Sequence, residues 1–327
     1  MTTTYAPPTI PAVVLEPAAQ ALSDALATAG GPPLYTLSPE DARAVLDRAQ
    51  AGDVALAPAT IEERTIPVGP SGQVSITIVR PVGATAPLPV VVYIHGGGWI
   101  LGNFGTHERL VRDLAARTGA AFVFVNYTPS PEARYPVAIE EAHAAATWVS
   151  GHGSEIGVDA TRMAIAGDSV GGNMTAAVTL LAKQRGGPTF RLQALFYPVT
   201  NAAFDTASYA EFADGPWLTR KAMQWFWDAY APDDAQRTEP TASPLRASLD
   251  QLAGLPPALL ITDEADVLRD EGEAYGRKLR QAGVDVNALR VEGVFHDFMM
   301  LNALATTNAT QLAIAAAARA LKAALVQ

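Results

Sequence analysis

Residues Gly167–Gly171 read Gly-Asp-Ser-Val-Gly, a Gly-x-Ser-x-Gly pattern typical of a nucleophilic serine. The apolar run Met163–Ala166 precedes the pattern and helical composition follows it, so Ser169 is predicted to lie on a sharp strand-to-helix turn. Glycines on either side of the serine lack the Cβ atoms that would collide in such a turn. The first amides of the helix favour negative charge developing beside the hydroxyl. The pattern alone is equally compatible with an ordinary loop.

A serine nucleophile needs a base, a group that orients the base, and donors for an oxyanion. The chain has five histidines, and only His296 lies downstream of Ser169, so the order serine, acid, histidine permits one base. Several carboxylates follow the predicted strand Ala258–Thr262, and Asp270 and Glu271 among them are expected to compensate charge at the start of the next helix. Asp266 is the preferred orienting acid because it stands a few residues into the loop, and Asp263, at the strand end, is the alternative.

Three successive glycines, Gly96–Gly98, follow the predicted strand Pro89–Ile94. Successive glycines let backbone amides turn toward a ligand, and loss of one oxyanion donor costs about 3–4 kcal/mol in acyl transfer. Phosphate binding is the other use of such a loop, but no Lys-Ser/Thr pair closes a P-loop here. His95 is expected to support the loop by hydrogen bonding.

Composition narrows the class of protein. With 327 residues, of which 49% are hydrophobic, the chain is long enough for one large α/β domain with a lid. A net charge of -10 and a pI near 5.0 argue against nucleic acid or an anionic membrane as partner. The absence of cysteine excludes disulfides, thiolate metal sites and a cysteine nucleophile. Without a signal-peptide pattern, cytoplasmic residence is expected, and no metal or cofactor site is predicted.

The periodicity predicts a tail over Met1–Pro11, two helices, a hairpin, and then strands alternating with helices. This alternation implies an α/β fold with a mostly parallel eight-stranded sheet and helices on both faces. The predicted strands are Glu62–Val68, Val74–Val79, Pro89–Ile94, Ala121–Asn126, Met163–Ala166, Leu192–Tyr197, Ala258–Thr262 and Val284–Val291. The predicted helices are Pro17–Ala29, Pro39–Gln50, His107–Arg117, Val137–Val149, Ser169–Arg185, Asp270–Ala282 and Thr310–Leu325.

The alternation is interrupted at 201–256, an aromatic-rich stretch of helical composition. We therefore predict a core at 61–200 and 257–327, a helical cap insertion at 201–256, and N-terminal helices within 1–60 that contribute to the cap. Most of the aromatic residues are expected in the core. Trp217 and Phe226 are predicted to form the pocket wall.

Several motifs together resemble the hormone-sensitive-lipase-type carboxylesterases of the α/β-hydrolase fold. They are His95–Trp99, which reads His-Gly-Gly-Gly-Trp, and Gly167–Asn173, with further similarity at Asp266–Gly272 and His296–Phe298. The resemblance extends from about Pro89 to the end of the chain. Ordered motifs of this kind are more specific than one pattern alone.

The resemblance implies a nucleophilic Ser169, a general base His296 and an orienting acid Asp266. It also implies an oxyanion hole and a cap over the acyl pocket, short- to medium-chain acyl esters as substrates, and no cofactor. The backbone amides implied for the oxyanion hole belong to Gly97, Gly98 and Val170. Trp99 is expected to line the pocket entrance, and packing beneath the cap is an equal alternative.

Three places depart from the family pattern, and one is Thr128–Ser130, which reads Thr-Pro-Ser instead of the commoner Arg-Leu-Ala. Val170 replaces the usual alanine, and Asp297 replaces the usual glycine after the histidine. The extra carboxylate either raises the pKa of His296 or points to solvent. These changes bear on substrate range rather than on the catalytic groups. A homodimer paired through the edge strand at Val284–Val291 is expected by analogy with similar proteins.

Two other functions fit the same fold. A ligand-binding protein that has lost catalysis is disfavoured because Ser169, Asp266 and His296 are all retained. An amide or lactone hydrolase or a lyase would use the same residues, because leaving-group preference depends on pocket shape. Matched ester, lactone and anilide substrates distinguish these activities.

Overall fold

The computed structural model describes residues 13–85 and 87–326, so the predicted tail Met1–Pro11 lies outside the described residues. Eight strands form one sheet in the order β1-β2-β4-β3-β5-β6-β7-β8. Pairs β1–β2 and β2–β4 are antiparallel and the other pairs are parallel, which confirms the predicted mostly parallel sheet. The strands are β1 Ala59–Ile66, β2 Val74–Pro81, β3 Leu88–Ile94, β4 Ala121–Asn126, β5 Val158–Asp168, β6 Gln193–Phe196, β7 Ala258–Ala265 and β8 Val286–Phe295.

Eleven α-helices lie in the described part of the chain, together with short 3₁₀ turns. Ser38 caps α2, accepting a hydrogen bond from the Asp41 amide at 3.1 Å, and Pro39 is the first helical residue. The helices are α1 Pro17–Ala29, α2 Pro39–Ala49, α3 Phe104–Thr118, α4 Val137–His152, α5 Val170–Arg185, α6 Ala207–Glu211, α7 Arg220–Tyr230, α8 Asp234–Arg237, α9 Leu249–Leu252, α10 Arg269–Gln281 and α11 Asn308–Val326.

The central strands are buried on both faces, which explains their continuous apolar sequences. Six of the seven residues of β3 are buried, whereas β1 alternates between exposed and covered positions at the edge of the sheet. β5 begins at Val158, earlier than the predicted Met163, because Val158 pairs with Leu88 across a register shift in β3. Consequently β5 delivers Asp168 and the following serine to the carboxyl edge of the sheet.

Helix α11 is the one helix among the described residues whose length and composition alone would allow a membrane span. Its buried residues lie at helical spacing and include Ala313, Ile314, Ala317 and Leu321. That side packs on α3 and the sheet. The apolar composition is thus the kind expected of a helix that covers a core on one side.

Arg43 and Gln50 help to dock the N-terminal segment, residues 13–58, on the carboxyl edge of the sheet. Arg43 forms a bidentate ion pair with Glu132, with Nη2–Oε2 at 2.7 Å and Nη1–Oε1 at 2.9 Å. The buried Gln50 amide donates to the Thr106 carbonyl at 2.6 Å and to the Met300 carbonyl at 2.8 Å. The segment therefore lies over the parts of the chain that follow β3, β4 and β8.

The insertion, residues 201–256, contains helices α6 to α9 between β6 and β7. Helix α7 places Phe226, Trp227 and Tyr230 in buried positions. Strand β1 begins at Ala59, three residues before the predicted start at Glu62, because Ala59 pairs with Pro81. The assignment of both outer segments to a cap stays a prediction.

We expect Gly171→Ala to destabilise the protein by about 3 kcal/mol or more, because an added Cβ would overlap the carbonyl of Ile94. Gly151→Ala is the matched control, since Gly151 lies in α4 with no atom within 4 Å of an added Cβ. That control should be neutral or slightly stabilising. Chemical denaturation of both variants measures the difference, and equal unfolding free energies would contradict close strand–helix packing at the elbow.

Candidate active site

Ser169 occupies a strained turn between β5 and α5, with φ 55° and ψ -120°. Few non-glycine residues adopt a positive φ, so this conformation is stabilised by its surroundings. The Ser169 amide donates to the Phe196 carbonyl at 2.8 Å, and the Asn173 amide donates to the Ser169 carbonyl at 3.1 Å. The strand on one side and the helix on the other thereby present the hydroxyl at the carboxyl edge of the sheet.

The structure brings Ser169, His296 and Asp266 into one hydrogen-bonded line. His296 Nε2 lies 2.9 Å from Ser169 Oγ, and Nδ1 lies 2.7 Å from Asp266 Oδ2. The Leu268 amide donates to the other Asp266 oxygen at 3.0 Å. All three side chains are buried. This arrangement allows the imidazole to take a proton from the hydroxyl while the carboxylate fixes its tautomer.

Asp297 is a second carboxylate beside the imidazole. Its Oδ1 lies 3.4 Å from His296 Nε2, and Oδ2 accepts a hydrogen bond from Trp217 Nε1 at 3.0 Å. The side chain is only 13% exposed, so it does not point to solvent. Burial opposes the charge on His296, but Asp266 and Asp297 outweigh it and raise the pKa of the imidazole to about 10. Of the two alternatives for Asp297, the structure supports the raised pKa.

Gly97 and Gly98 both have positive φ, 105° and 63°. An added Cβ at Gly98 would overlap the ring of Phe226, so only glycine fits between the loop and helix α7. Ile100 and Leu101 amides donate to the Gly97 carbonyl at 3.2 and 2.7 Å, which closes the loop into a tight turn. The loop faces the same cavity as Ser169.

Val170 is the first residue of α5, where an amide has no hydrogen-bond partner within the helix. The Val170 amide is therefore a free hydrogen-bond donor next to Ser169, at the positive end of the helix dipole. Of the three amides predicted for the oxyanion hole, those of Gly97 and Gly98 belong to the glycine loop after β3, and that of Val170 belongs to the first turn of α5.

A buried network beneath the serine was not anticipated from the sequence. The Asp168 carboxylate accepts hydrogen bonds from the Tyr93 hydroxyl at 2.7 Å and from the Gly96 amide at 3.2 Å. His107 Nε2 lies 3.2 Å from the same carboxylate. Asp168 directly precedes the nucleophile, so its hydrogen bond to the Gly96 amide connects the serine turn to the first glycine of the oxyanion loop.

The charge states of Asp168, His107 and His95 depend on how close these groups are to one another. Burial disfavours ionisation of Asp168, yet His107 and the hydrogen bonds lower the pKa of the carboxyl. Asp168 in turn raises the pKa of His107 against the effect of burial. Burial and the neighbouring His107 lower the pKa of His95 to about 3, so its neutral ring donates from Nδ1 to the Gly96 carbonyl at 2.7 Å. His95 thus supports the loop by hydrogen bonding, as predicted.

One signal for this network was present in the sequence. Asp168 ends a strand just after the apolar run Met163–Ala166, and a buried carboxylate requires donors. The donors come from β3, from the glycine loop and from α3, and only the folded register places them together.

The active-site pocket is a cavity of about 310 Å³ in front of the serine. Its walls are mostly apolar and come from the N-terminal segment and the insertion, while the catalytic loops form its base. It is lined by Leu26, Pro33, Leu34, Tyr35, Val45, Leu46, Gly97, Gly98, Leu101, Ser169, Pro216, Trp217, Leu218, Thr219, Ala222, Met223, Phe226, His296 and Asp297.

The three aromatic residues predicted for the pocket differ in position. Trp217 and Phe226 belong to the lining, whereas Trp99 does not. Of the two positions expected for Trp99, the structure supports packing beneath the insertion rather than lining the entrance. Trp99 is fully buried, stacks on Tyr230 at 4.0 Å between ring centroids, and meets Trp227 edge-on at 4.8 Å. The indole packs beneath the insertion because burial among aromatic rings removes its large apolar area from water.

One group in the described part of the chain has the spacing of metal ligands. Donor atoms of Asp263, Asp266 and His296 lie within 4.8 Å of one another, and all three residues are buried. Asp266 and His296 already bond to each other at 2.7 Å, and a cation bound between them would break that contact. The geometry is therefore better suited to proton transfer than to metal binding.

Comparison with known proteins identifies the family of this chain. A sequence model of the alpha/beta hydrolase fold family matches residues 91–300. The chain is 38% identical over 290 residues to a carboxylesterase of Mycobacterium tuberculosis, covering 87% of this chain and 90% of that protein. It is 33% identical over 277 residues to ethyl acetate hydrolase of Pseudomonas putida, covering 83% and 86%. The crystal structure of a thermostable esterase from Pseudomonas putida superposes with a TM-score of 0.94 at 52% identity, covering 95% and 98%.

The chain belongs to the α/β-hydrolase fold family, and within it to the hormone-sensitive-lipase type. The resemblance found in the motifs is thereby confirmed for the fold and the family.

We expect Asp297→Asn to move the acid limb of the pH profile of kcat/KM to lower pH by about one unit. The amide removes a negative charge that stabilises the imidazolium, so His296 becomes neutral at lower pH. Asparagine tolerates a positive φ and still accepts from Trp217, so the backbone is preserved. Ester hydrolysis across pH measures the limb. Asp285→Asn, exposed before β8, is the control, and equal profiles for both variants would show that Asp297 does not influence His296.

Proposed function

We propose that the protein is a serine carboxylesterase acting on esters of short- to medium-chain acids through an acyl-enzyme. The observation that carries this proposal is the line from Ser169 Oγ through His296 to Asp266, at 2.9 and 2.7 Å, facing a cavity. The relatives named carboxylesterase and ethyl acetate hydrolase support ester bonds as the substrate class.

In this mechanism Ser169 Oγ attacks the ester carbonyl carbon while its proton passes to His296 Nε2. The carbonyl oxygen becomes an oxyanion and accepts hydrogen bonds from the amides of Gly97, Gly98 and Val170. The carbon–oxygen bond to the alcohol then breaks, and the alcohol leaves with the proton from His296. Water attacks the acyl-enzyme by the same route, and the acid is released with Ser169 restored.

Asp266 keeps the Nδ1 proton of His296 in place, so that Nε2 is free to accept from the serine. The buried network around Asp168 holds the Gly96 amide, and hence the start of the oxyanion loop, against the serine turn. No cofactor is needed for these steps.

The N-terminal segment and the insertion act as a cap in this proposal. Leu34, Met223 and Phe226 belong to apolar walls that enclose about 310 Å³, a volume suited to a short or medium acyl chain. Trp217 ties the insertion to Asp297 beside the base. The acyl group is thereby held in a site with little water.

A small ester is the proposed partner, with no role for nucleic acid or a membrane. Cytoplasmic residence and a homodimer paired through the edge strand β8 stay predictions. The acidic net charge of -10 is consistent with a protein that does not bind polyanions.

We expect Ser169→Ala to lower kcat for p-nitrophenyl butyrate by about 10⁴-fold or more, because Ser169 Oγ is the hydroxyl hydrogen-bonded to the imidazole. Ser154→Ala, an exposed serine far from the cavity, is the matched control and should keep full activity. An acetyl-to-palmitoyl series measured with the wild type should peak at short or medium chains. Equal background rates for folded wild type and Ser169→Ala would instead favour a ligand-binding protein, and faster lactone or anilide turnover would favour the related hydrolases.

We expect Phe226→Ala to shift the acyl preference toward longer chains, because Phe226 forms part of the cavity wall beside Gly98. Trp225→Ala is the control, since Trp225 is half-buried on the same helix but outside the lining. The ratio of kcat/KM for octanoyl and butyryl esters is the measurement, with denaturation curves to verify folding. An unchanged ratio would place the acyl chain elsewhere.

A further inference from the structure

Asp263 is a buried carboxyl that the mechanism above does not use. It ends the apolar part of β7 and has no solvent exposure. Neither of its oxygens accepts a hydrogen bond from a described donor. An ionised carboxylate in such a position would be strongly disfavoured, because a buried charge needs a partner.

The neighbours of Asp263 make its ionisation still less favourable. One of its oxygens, an oxygen of Asp266 and a ring nitrogen of His296 lie within 4.8 Å of one another. Tyr197, which follows β6, is also close enough for its ionisation to be affected by Asp263. On β8 the residue opposite Asp263 is the apolar Val291. The nearby group that can carry a positive charge is thus His296, and its Nδ1 is already hydrogen-bonded to Asp266.

We propose that Asp263 is a neutral carboxylic acid that donates a hydrogen bond to Asp266 and thereby positions that carboxylate against His296. This inference rests on the proposed function, because it assigns a role through the Asp266–His296 pair. Asp263 is accordingly a positioning residue and contacts no substrate.

Proton sharing explains both unusual features of Asp263. Two adjacent carboxyls in a buried site hold one proton between them, because two negative charges at that distance repel each other. Burial and the Asp266 charge raise the pKa of Asp263 well above its usual range. With the proton on Asp263, the acid gains an acceptor, and Asp266 keeps the negative charge that the imidazolium needs.

Neutrality of Asp263 also matters for the base. Asp266, Asp297 and Asp263 each act to raise the pKa of His296, and an imidazole that is already protonated cannot accept the serine proton. A proton on Asp263 removes one of these three negative charges. His296 then becomes deprotonated at a lower pH than it would beside three carboxylates.

The test compares Asp263→Asn with Asp263→Ala. The amide keeps the shape and the donor to Asp266 but has no ionisable proton, whereas alanine leaves Asp266 without this donor. We expect Asp263→Ala to lower kcat by between about tenfold and 100-fold with a smaller change in KM. Asp263→Asn should recover activity to within about threefold of wild type, with the acid limb of kcat/KM unmoved. Asp285→Asn serves as the control for an exposed aspartate.

Three results would overturn the proposal. If the acid limb of Asp263→Asn moves to lower pH, Asp263 is ionised in the wild type. If Asp263→Asn and Asp263→Ala lose activity equally, or neither loses any, the side chain does not act as a donor to Asp266. If EDTA abolishes wild-type activity, the cluster of three side chains holds a cation.

A second readout does not depend on the esterase assignment. A carboxyl whose folded pKa is raised keeps its proton in the folded state and loses it in the unfolded state near pH 4. The stability of the wild type relative to Asp263→Asn should therefore fall as pH rises from about 4 to 7, with the slope of one proton. A pH-independent difference would overturn the neutral acid even if no ester is hydrolysed, and the predicted slope in a protein without esterase activity would refute only the proposed function.

Discussion

The left-handed backbone at Ser169 is the constraint on which the rest of the structure depends. A serine can keep φ 55° only if strand β5 and helix α5 are both held firmly, and the glycines of the turn allow that approach. Because the turn ends a parallel strand, its hydroxyl reaches the edge where β3, β7 and β8 also end. The oxyanion loop, the acid and the base all follow those strands.

Charge burial is the second physical theme. Asp168 and His107 beneath the serine form a buried pair in which each stabilises the charge of the other. On the other side of the serine, His296 meets more than one carboxylate, and the excess negative charge raises its basicity. The Asp168–His107 pair supports the oxyanion loop, whereas the carboxylates around His296 set the pH at which the imidazole loses its proton.

Much of the core was predictable because its signals are local. Apolar runs alternate with helical patterns, and the order of Ser169, Asp266 and His296 restricts which residues can meet at one sheet edge. The sequence could not decide between the two positions expected for Trp99, because its environment is formed by Trp227 and Tyr230, more than a hundred residues away. Periodicity carries no information on such distant packing. The contact of Asp297 with Trp217 escaped prediction for the same reason.

The contact between Gly98 and Phe226 has a consequence for how such a protein can diverge. The pocket walls and the catalytic loops are encoded in separate stretches of the chain, so the walls can vary while the chemistry is retained. They touch directly where the Phe226 ring lies against Gly98 and where Trp217 bonds to Asp297. Substitutions at these junctions require compensation on the other side, so the paired positions should co-vary among homologues with different substrates.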